Sequence, residues 1–212
     1  EGTAVKWQAR PVAGSPYETV KDRWHTVSVP LPLPKREEMP QGVPSRFTRP
    51  PSLEATTFAS WEEVSRVFAP LYSTKDMIAP GSPLAAEVAK IAVQSTDPLT
   101  RAALATRLVQ DQVSYLMNGM SGGNYRPQVP AQTWISRYGD CKAKSLLLLA
   151  LLEALGIKAE VVAVNTRTGD AVSDSLPMPA AFDHVIVRAE IAGETYWLDG
   201  TATGTRLATL GD

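Results

Sequence analysis

The sequence is poor in the residues that build metal sites and covalent frameworks. It has one cysteine, Cys141, and two histidines, His25 and His184, among 212 residues. One cysteine forbids an internal disulfide, and this set is too small for a Cys/His zinc site. No calcium-loop or other metal motif is present, so neither metal nor cofactor is expected. Charge of one sign is lacking too: 21 basic residues face 22 acidic ones, the formal net charge is −1, and no long run of either sign occurs. That argues against a surface for nucleic acid or for an anionic membrane. The longest apolar run, Leu146 to Leu152, lies between Ser145 and Glu153 and falls far short of the ~20 residues that span a bilayer, so no transmembrane segment is expected. Glu1 opens the chain without a methionine and no basic-then-apolar leader follows, as in a processed protein or an excised piece.

What is present is enough for a packed core. Forty-four per cent of the residues are apolar and 20% charged, a balance far from that of disordered chains. Nine of the 17 prolines fall before Ser52, a density that excludes helix interiors and central strands. Arg23 to Val29 has strand composition, and Pro30 to Pro34 reads as extended or polyproline-like chain. Residues 1–57 are therefore expected to form an extended, strand-bearing, proline-rich arm, or the tail of an upstream β domain, with a core over 58–212. Such an arm could itself act as a peptide ligand or an interdomain strap.

Helix signals begin after the arm. Ser60-Trp61-Glu62-Glu63 has capping-box spacing before Val64, Val67, Phe68 and Leu71. Ser82-Pro83 opens a second helix through about Val93, and Asp97-Pro98 a third through about Met117. Asn118 to Pro130, with three glycines and two prolines, reads as a loop that could close over a ligand. Lys142 to Leu155 is a fourth helix, apolar nearly all round and so buried, with Gly156 at its end. Three strand-like runs follow: Ile157 to Asn165, Phe182 to Glu190, and Glu194 to Leu198.

The lone thiol lies in the first turn of that buried helix. Unpaired N–H groups and the positive end of the helix dipole favour an anion there, which is where a nucleophilic cysteine gains most. The bland alternative is a small buried hydrophobe. Against it stand Asp140, Lys142 and Lys144, which are difficult to bury. If Ala192-Gly193 is a two-residue turn, Ile191 faces Glu194 and Asp199 lies opposite Ile186. Alternation then puts His184, Ile186 and Asp199 on one face, with Asp199 the diagonal neighbour of His184. Taken singly, His184 reads as a core or surface histidine and Asp199 as a turn residue. Together with Cys141 they fit a nucleophile, a proton carrier and an orienting acid. His25 reads as a surface residue of a strand, and Trp134 as core.

Tyr138-Gly139-Asp140-Cys141-Lys142-Ala143-Lys144, running into a leucine-rich helix that ends Ala154-Leu155-Gly156, with Phe182-Asp183-His184-Val185-Ile186-Val187 and Trp197-Leu198-Asp199-Gly200-Thr201, closely resembles the bacterial transglutaminase-like superfamily. The resemblance covers about residues 60–212 and implies a papain-like α+β fold, the cysteine helix packed on an antiparallel sheet that bears the other two residues. It carries the catalytic triad of that family over to Cys141, His184 and Asp199. It also implies cysteine-dependent acyl transfer on amide bonds of a peptide or protein through a thioester, as a peptidase, an amidase or a crosslinking transglutaminase. A catalytically silent scaffold on the same fold is the rival reading. The arm resembles the end of a β-rich domain that precedes such cores in bacterial envelope proteins, which implies a periplasmic or envelope location and further domains in the parent protein. For the oxyanion, the Cys141 N–H is the natural first donor. Tyr115 occupies the aromatic position that relatives carry upstream, and Gln132 competes with it; the alternative for Tyr115 is a plain aromatic on a helix face. Gly200 stands where relatives often have proline, leaving the backbone beside Asp199 looser.

Overall fold

The structure is a computed structural model that describes residues 4–10, 16–22, 24–32, 38, 40–44, 47, 52–116 and 125–210. The chain divides into two compact units, one of residues 1–65 with 165–181 and the other of 66–164 with 182–212.

The first unit contains two separate antiparallel strand pairs. β1 (Lys6–Ala9) pairs with β4 (Leu53–Thr56), and β2 (Tyr17–Lys21) with β3 (Trp24–Ser28). β3 falls where the strand composition placed it. All five residues of β2 are exposed, as are the first three of β3. Residues 165–181 add two 3-10 turns, Gly169–Asp174 and Pro179–Ala181. They are tied to the strands by Gln8 Nε2 donating to the Asp174 carbonyl at 3.1 Å and Thr56 Oγ1 donating to the Pro177 carbonyl at 2.7 Å. Of the Pro30 to Pro34 stretch, Leu33 and Pro34 lie outside the described residues, and Leu31 and Pro32 lie in a bend rather than in a polyproline run.

Helix α1 (Trp61–Phe68) starts at the expected cap. Ser60 Oγ accepts from the Glu63 N–H at 3.3 Å, while the Glu63 carboxylate accepts from the N–H of Ala59, one residue before the position a standard capping box uses. α2 (Pro83–Gln94) and α3 (Pro98–Gln112) begin at Ser82 and Asp97, whose side chains accept from Ala85 and Thr100 N–H, with proline at the first helical position.

Three details depart from the sequence reading. α3 stops at Gln112 rather than near Met117, because the next residues pair elsewhere. β5 (Ser114–Tyr115) runs parallel to β6 (Tyr138–Gly139), with Ser114 N–H donating to the Arg137 carbonyl and Leu116 N–H to the Gly139 carbonyl. Tyr115 is therefore a strand residue and not a helix-face aromatic. A short helix, α4 (Pro130–Ser136), precedes β6. It buries Trp134, over whose ring Arg137 stacks at 3.6 Å. Most of the expected loop between Asn118 and Pro130, residues 118–124, lies outside the described residues.

The centre of the second unit is α5 (Cys141–Ala154), buried from Cys141 through Leu152. It packs on a three-stranded antiparallel sheet of order β7 (Lys158–Val164), β8 (His184–Ile191) and β9 (Glu194–Leu198). α3 and α4 also pack on α5. Leu147, Leu148, Leu151 and Leu152 meet Val187, Ala189 and Leu198 from the sheet and Ala102, Ala105 and Val109 from α3. At ~1.5–3 kcal/mol for each fully buried leucine, this contact is the main anchor of the helix. The fold is thus α+β, a cysteine-bearing helix lying on an antiparallel sheet.

The sheet register follows from one turn. Ala192 and Gly193 have φ of 53° and 87°, the left-handed pair that a two-residue I′ hairpin turn requires. Ile191 faces Glu194 and Val187 faces Leu198, so the next position puts Asp199 opposite Ile186.

Candidate active site

Asp140 caps α5 by accepting from the Ala143 N–H at 3.0 Å, which makes Cys141 the first helical residue. Its backbone N–H therefore has no partner within the helix. One turn on, the buried Ser145 hydroxyl donates to the Val185 carbonyl at 2.8 Å. This bond fixes the helix carrying the sulfur to the strand carrying the imidazole, next to His184 itself.

His184 Nε2 and Asp199 Oδ2 are 2.8 Å apart. Cys141 is the ring's second partner, its side chain favouring the protonated imidazole. Those contacts, Asp199 first and Cys141 second, outweigh burial and push the His184 pKa up to about 10. The ring carries its proton at neutral pH. Burial acts on Asp199 in the opposite sense, toward a higher value. Hydrogen bonds from His184 and from the Thr201 hydroxyl and N–H prevail and hold its carboxyl below the usual range. Thr201 makes both of its bonds to Oδ1 at 2.7 Å. The backbone of Asp199 is held from α3, where Gln110 Nε2 donates to its carbonyl at 2.8 Å.

Gly200 does not loosen this corner. It is buried, and a Cβ there would meet Val109 Cγ1 at 3.2 Å and Lys144 Cβ at 3.4 Å. Absence of a side chain lets the Asp199 turn lie against α3 and α5. Gly139 is tighter still, a Cβ meeting Ala143 Cβ at 3.0 Å and Thr133 Cγ2 at 3.1 Å.

The expectation that Lys142 and Lys144 resist burial is overturned: both lie in the core, 0% and 2% exposed. Each is buried with a partner. Lys142 Nζ is 2.6 Å from Asp140 Oδ2, and Lys144 Nζ donates to the Val113 carbonyl at the entry to β5. Burial pulls the Lys144 pKa down, and the charge of Asp199 opposes the shift. The lysines therefore give no argument against a buried thiol, and Cys141 is itself only 3% exposed.

Aromatic side chains that the sequence did not single out close around the sulfur. Tyr72, Tyr125 and Phe182 pack against the Cys141 and Val185 pair, and Phe68 meets the Tyr125 ring edge-on at 5.0 Å. Burial, then the charges of Cys141 and Asp140, raise the Tyr72 hydroxyl well above the ordinary tyrosine value.

Of the two oxyanion candidates, Tyr115 lies in β5 opposite Gly139. Its pKa is raised by burial and then by the charges of Cys141, Asp140 and Asp199, so it sits within the field of the site. Gln132 lies on α4 and lines a groove with Gly139 and Asp140. His25 lies apart from Cys141 in sequence and unit, exposed on β3 with Nδ1 2.7 Å from Glu18 Oε1. Among the described residues, no group of three or more His, Cys, Asp or Glu side chains could hold a metal ion, and no helix is long and apolar enough to cross a membrane.

A solved structure shares this architecture. A protein of Parabacteroides distasonis, proposed to be a protease, superposes with a TM-score of 0.67 at 22% identity over 94% of this chain and 38% of its own. A proposed cysteine protease of Cytophaga hutchinsonii matches at 16% identity and a TM-score of 0.44, over 68% of this chain and 45% of its own, too distant to carry an argument. This chain spans less than half the length of either protein. At these identities the first likeness speaks to fold alone. No curated protein matches the chain. The sequence pattern of the transglutaminase-like superfamily matches residues 86–198, more than half of the chain, taking in the cysteine helix and the histidine strand and stopping one residue before Asp199. By that match, laid over the helix-on-sheet core just described, the chain belongs to the transglutaminase-like superfamily.

Proposed function

We propose that this protein is a cysteine-dependent acyl-transfer enzyme acting on amide bonds, with Cys141 as nucleophile, His184 as proton carrier and Asp199 as the acid that orients the ring. One observation carries the reading: a single imidazole bonded at 2.8 Å to the Asp199 carboxylate and acted on by the chain's only thiol as its second partner. His184, beside the sulfur, is the group that takes the thiol proton as Cys141 attacks.

In the first half-reaction the Cys141 Sγ bonds to the amide carbonyl carbon, and the C–N bond breaks as His184 delivers its proton to the leaving amine. The tetrahedral oxyanion is held by the Cys141 N–H at the helix start and by the Tyr115 hydroxyl as second donor. The product is a thioester. In the second half-reaction water or a primary amine attacks the thioester carbonyl, gives its proton to His184 and releases the thiolate. Asp199, fixed by Thr201 and Gln110, keeps the ring aligned through both halves.

The opposing reading, a catalytically silent scaffold, draws on the 3% exposure of Cys141. Timed alkylation with iodoacetamide near neutral pH, read by mass spectrometry, separates the two. The enzyme reading expects Cys141 to react faster than a free thiol and a Cys141 acyl adduct to accumulate with activated amide or ester substrates. A rate no faster than that of a free thiol, with no adduct, sinks it. A fluorescent primary amine added to the same reaction distinguishes transfer to amines from hydrolysis.

A further inference from the structure

A groove of about 470 Å³ opens beside β6 and ends at Gly139 and Asp140, the two residues before Cys141. That is within the size range of small-ligand sites. Leu116, Pro127 and Tyr138 supply apolar wall, and Arg126 and Asp140 are the two charged residues of the lining. Their charges are not equivalent. Asp140 is already spent, one oxygen 2.6 Å from the Lys142 ammonium and the other accepting from the Ala143 N–H. Arg126 is exposed and has no carboxylate within ion-pair distance among the described residues. The groove therefore presents one uncompensated guanidinium, whose planar fork matches a carboxylate.

Position decides which part of a substrate would lie there. A leaving amine must sit beside His184 to receive its proton, and neither His184 nor Cys141 is part of the groove lining. The groove adjoins the site through Gly139 and Asp140, at the start of the helix whose Cys141 N–H would hold the acyl carbonyl. On the acyl-transfer reading above, on which this inference rests, a chain lying in the groove is the acyl portion.

We propose that this groove is the acyl-side subsite and that Arg126 is its specificity-determining residue, selecting peptides that carry a carboxylate side chain close to the scissile amide. Glutamate or aspartate, held by the guanidinium, would be distinguished from the isosteric amides by charge alone.

The test is direct binding to the Cys141→Ala protein of blocked peptide amides that differ only by Glu or Gln at each position in turn, followed by fluorescence or calorimetry. At one position on the acyl side, the Glu peptide is expected to bind about tenfold tighter than its Gln counterpart, the scale of one charge-assisted contact. Arg126→Ala collapses that ratio toward one, and Arg126→Glu reverses it in favour of a Lys peptide. Equal binding of the Glu and Gln sets, a preference that survives Arg126→Ala, or no detectable binding by any peptide overturns the proposal. Thioester formation by the unmodified enzyme is read separately. A charge preference without a thioester removes the chemistry and keeps the groove, whereas a thioester without a preference does the reverse.

Discussion

The two histidines of this chain sit in nearly the same local geometry and differ in almost everything else. His25 faces Val20 across the β2–β3 hairpin, so Glu18 is its diagonal neighbour, and their side chains meet at 2.7 Å. In the β8–β9 register Asp199 lies two positions from the residue opposite His184, the same diagonal, and they meet at 2.8 Å. A hairpin makes such a pair easily. The differences are surroundings: the His25 side chain is 65% exposed and that of His184 14%. Water screens the first pair. The second has a far less exposed ring, a carboxylate anchored by Thr201 and Cys141 as a further partner. A His–carboxylate contact is therefore not a signature of chemistry; desolvation and a third partner are.

The largest expected effect breaks the buried member of the comparison at its sulfur. Cys141→Ala should reduce kcat/KM by about 10⁴-fold or more, as loss of a nucleophile does, while the far-ultraviolet dichroism stays unchanged because alanine fits a buried small-residue position. Next is Asp199→Asn, which removes the charge behind the ring. A fall of about 10²–10⁴-fold in kcat is expected, with the His184 pKa, followed by NMR, dropping from about 10 toward its ordinary value.

The same substitution sharpens the pH dependence. His184 binds its proton more tightly folded than unfolded, so its contribution to stability is complete below about 6.5 and fades as pH rises through about 10. Urea unfolding should accordingly show wild type and Asp199→Asn furthest apart near pH 6 and converging toward pH 10. A gap that stayed constant over that window would mean that the pair does not set the titration.

Smaller effects concern the frame. Gly139→Ala places a Cβ 3.0 Å from Ala143 Cβ and 3.1 Å from Thr133 Cγ2, neither of which can swing away. A loss of ~1–3 kcal/mol is expected, measured by urea midpoint. Ser145→Ala removes the bond from α5 to the Val185 carbonyl and should cost ~1–2 kcal/mol for the orphaned acceptor.

The site was legible where local rules fix geometry. Ala192-Gly193 sets the hairpin register, the register sets Asp199 beside His184, and the leucine-rich run ending at Gly156 sets the helix that carries Cys141. What stayed hidden depends on partners far apart in sequence. Val113 to Tyr115 continues an apolar pattern that reads as helix, and only pairing with Tyr138–Gly139 turns it into strand. Two lysines beside the thiol read as solvent-facing until Asp140 and the Val113 carbonyl are seen to hold them. Tyr72 and Gln110 carry no local signal; packing alone brings one to Cys141 and the other to the Asp199 carbonyl. α4 was missed for a local reason, since Val129 at its cap has no side-chain acceptor and only Pro130 marks the start.

The smallest effect belongs to the exposed pair, and it closes the comparison. Glu18 accepts from His25 and, at 3.2 Å, from the Trp7 indole, and these two bonds, His25 first, draw its carboxyl below the ordinary value. Yet both partners of the ion pair reach water, and replacing Glu18 by Gln leaves a side chain that can still bond to the indole. An exposed pair of this kind contributes little, so Glu18→Gln should leave the urea midpoint unmoved and should not change turnover. Placed beside Asp199→Asn, it holds the local geometry constant and varies only burial and the presence of the sulfur. If the two substitutions had equal effects on turnover, hairpin geometry would be the source of the histidine's chemistry. If only Asp199→Asn slows turnover, the source is the enclosed setting at the start of α5.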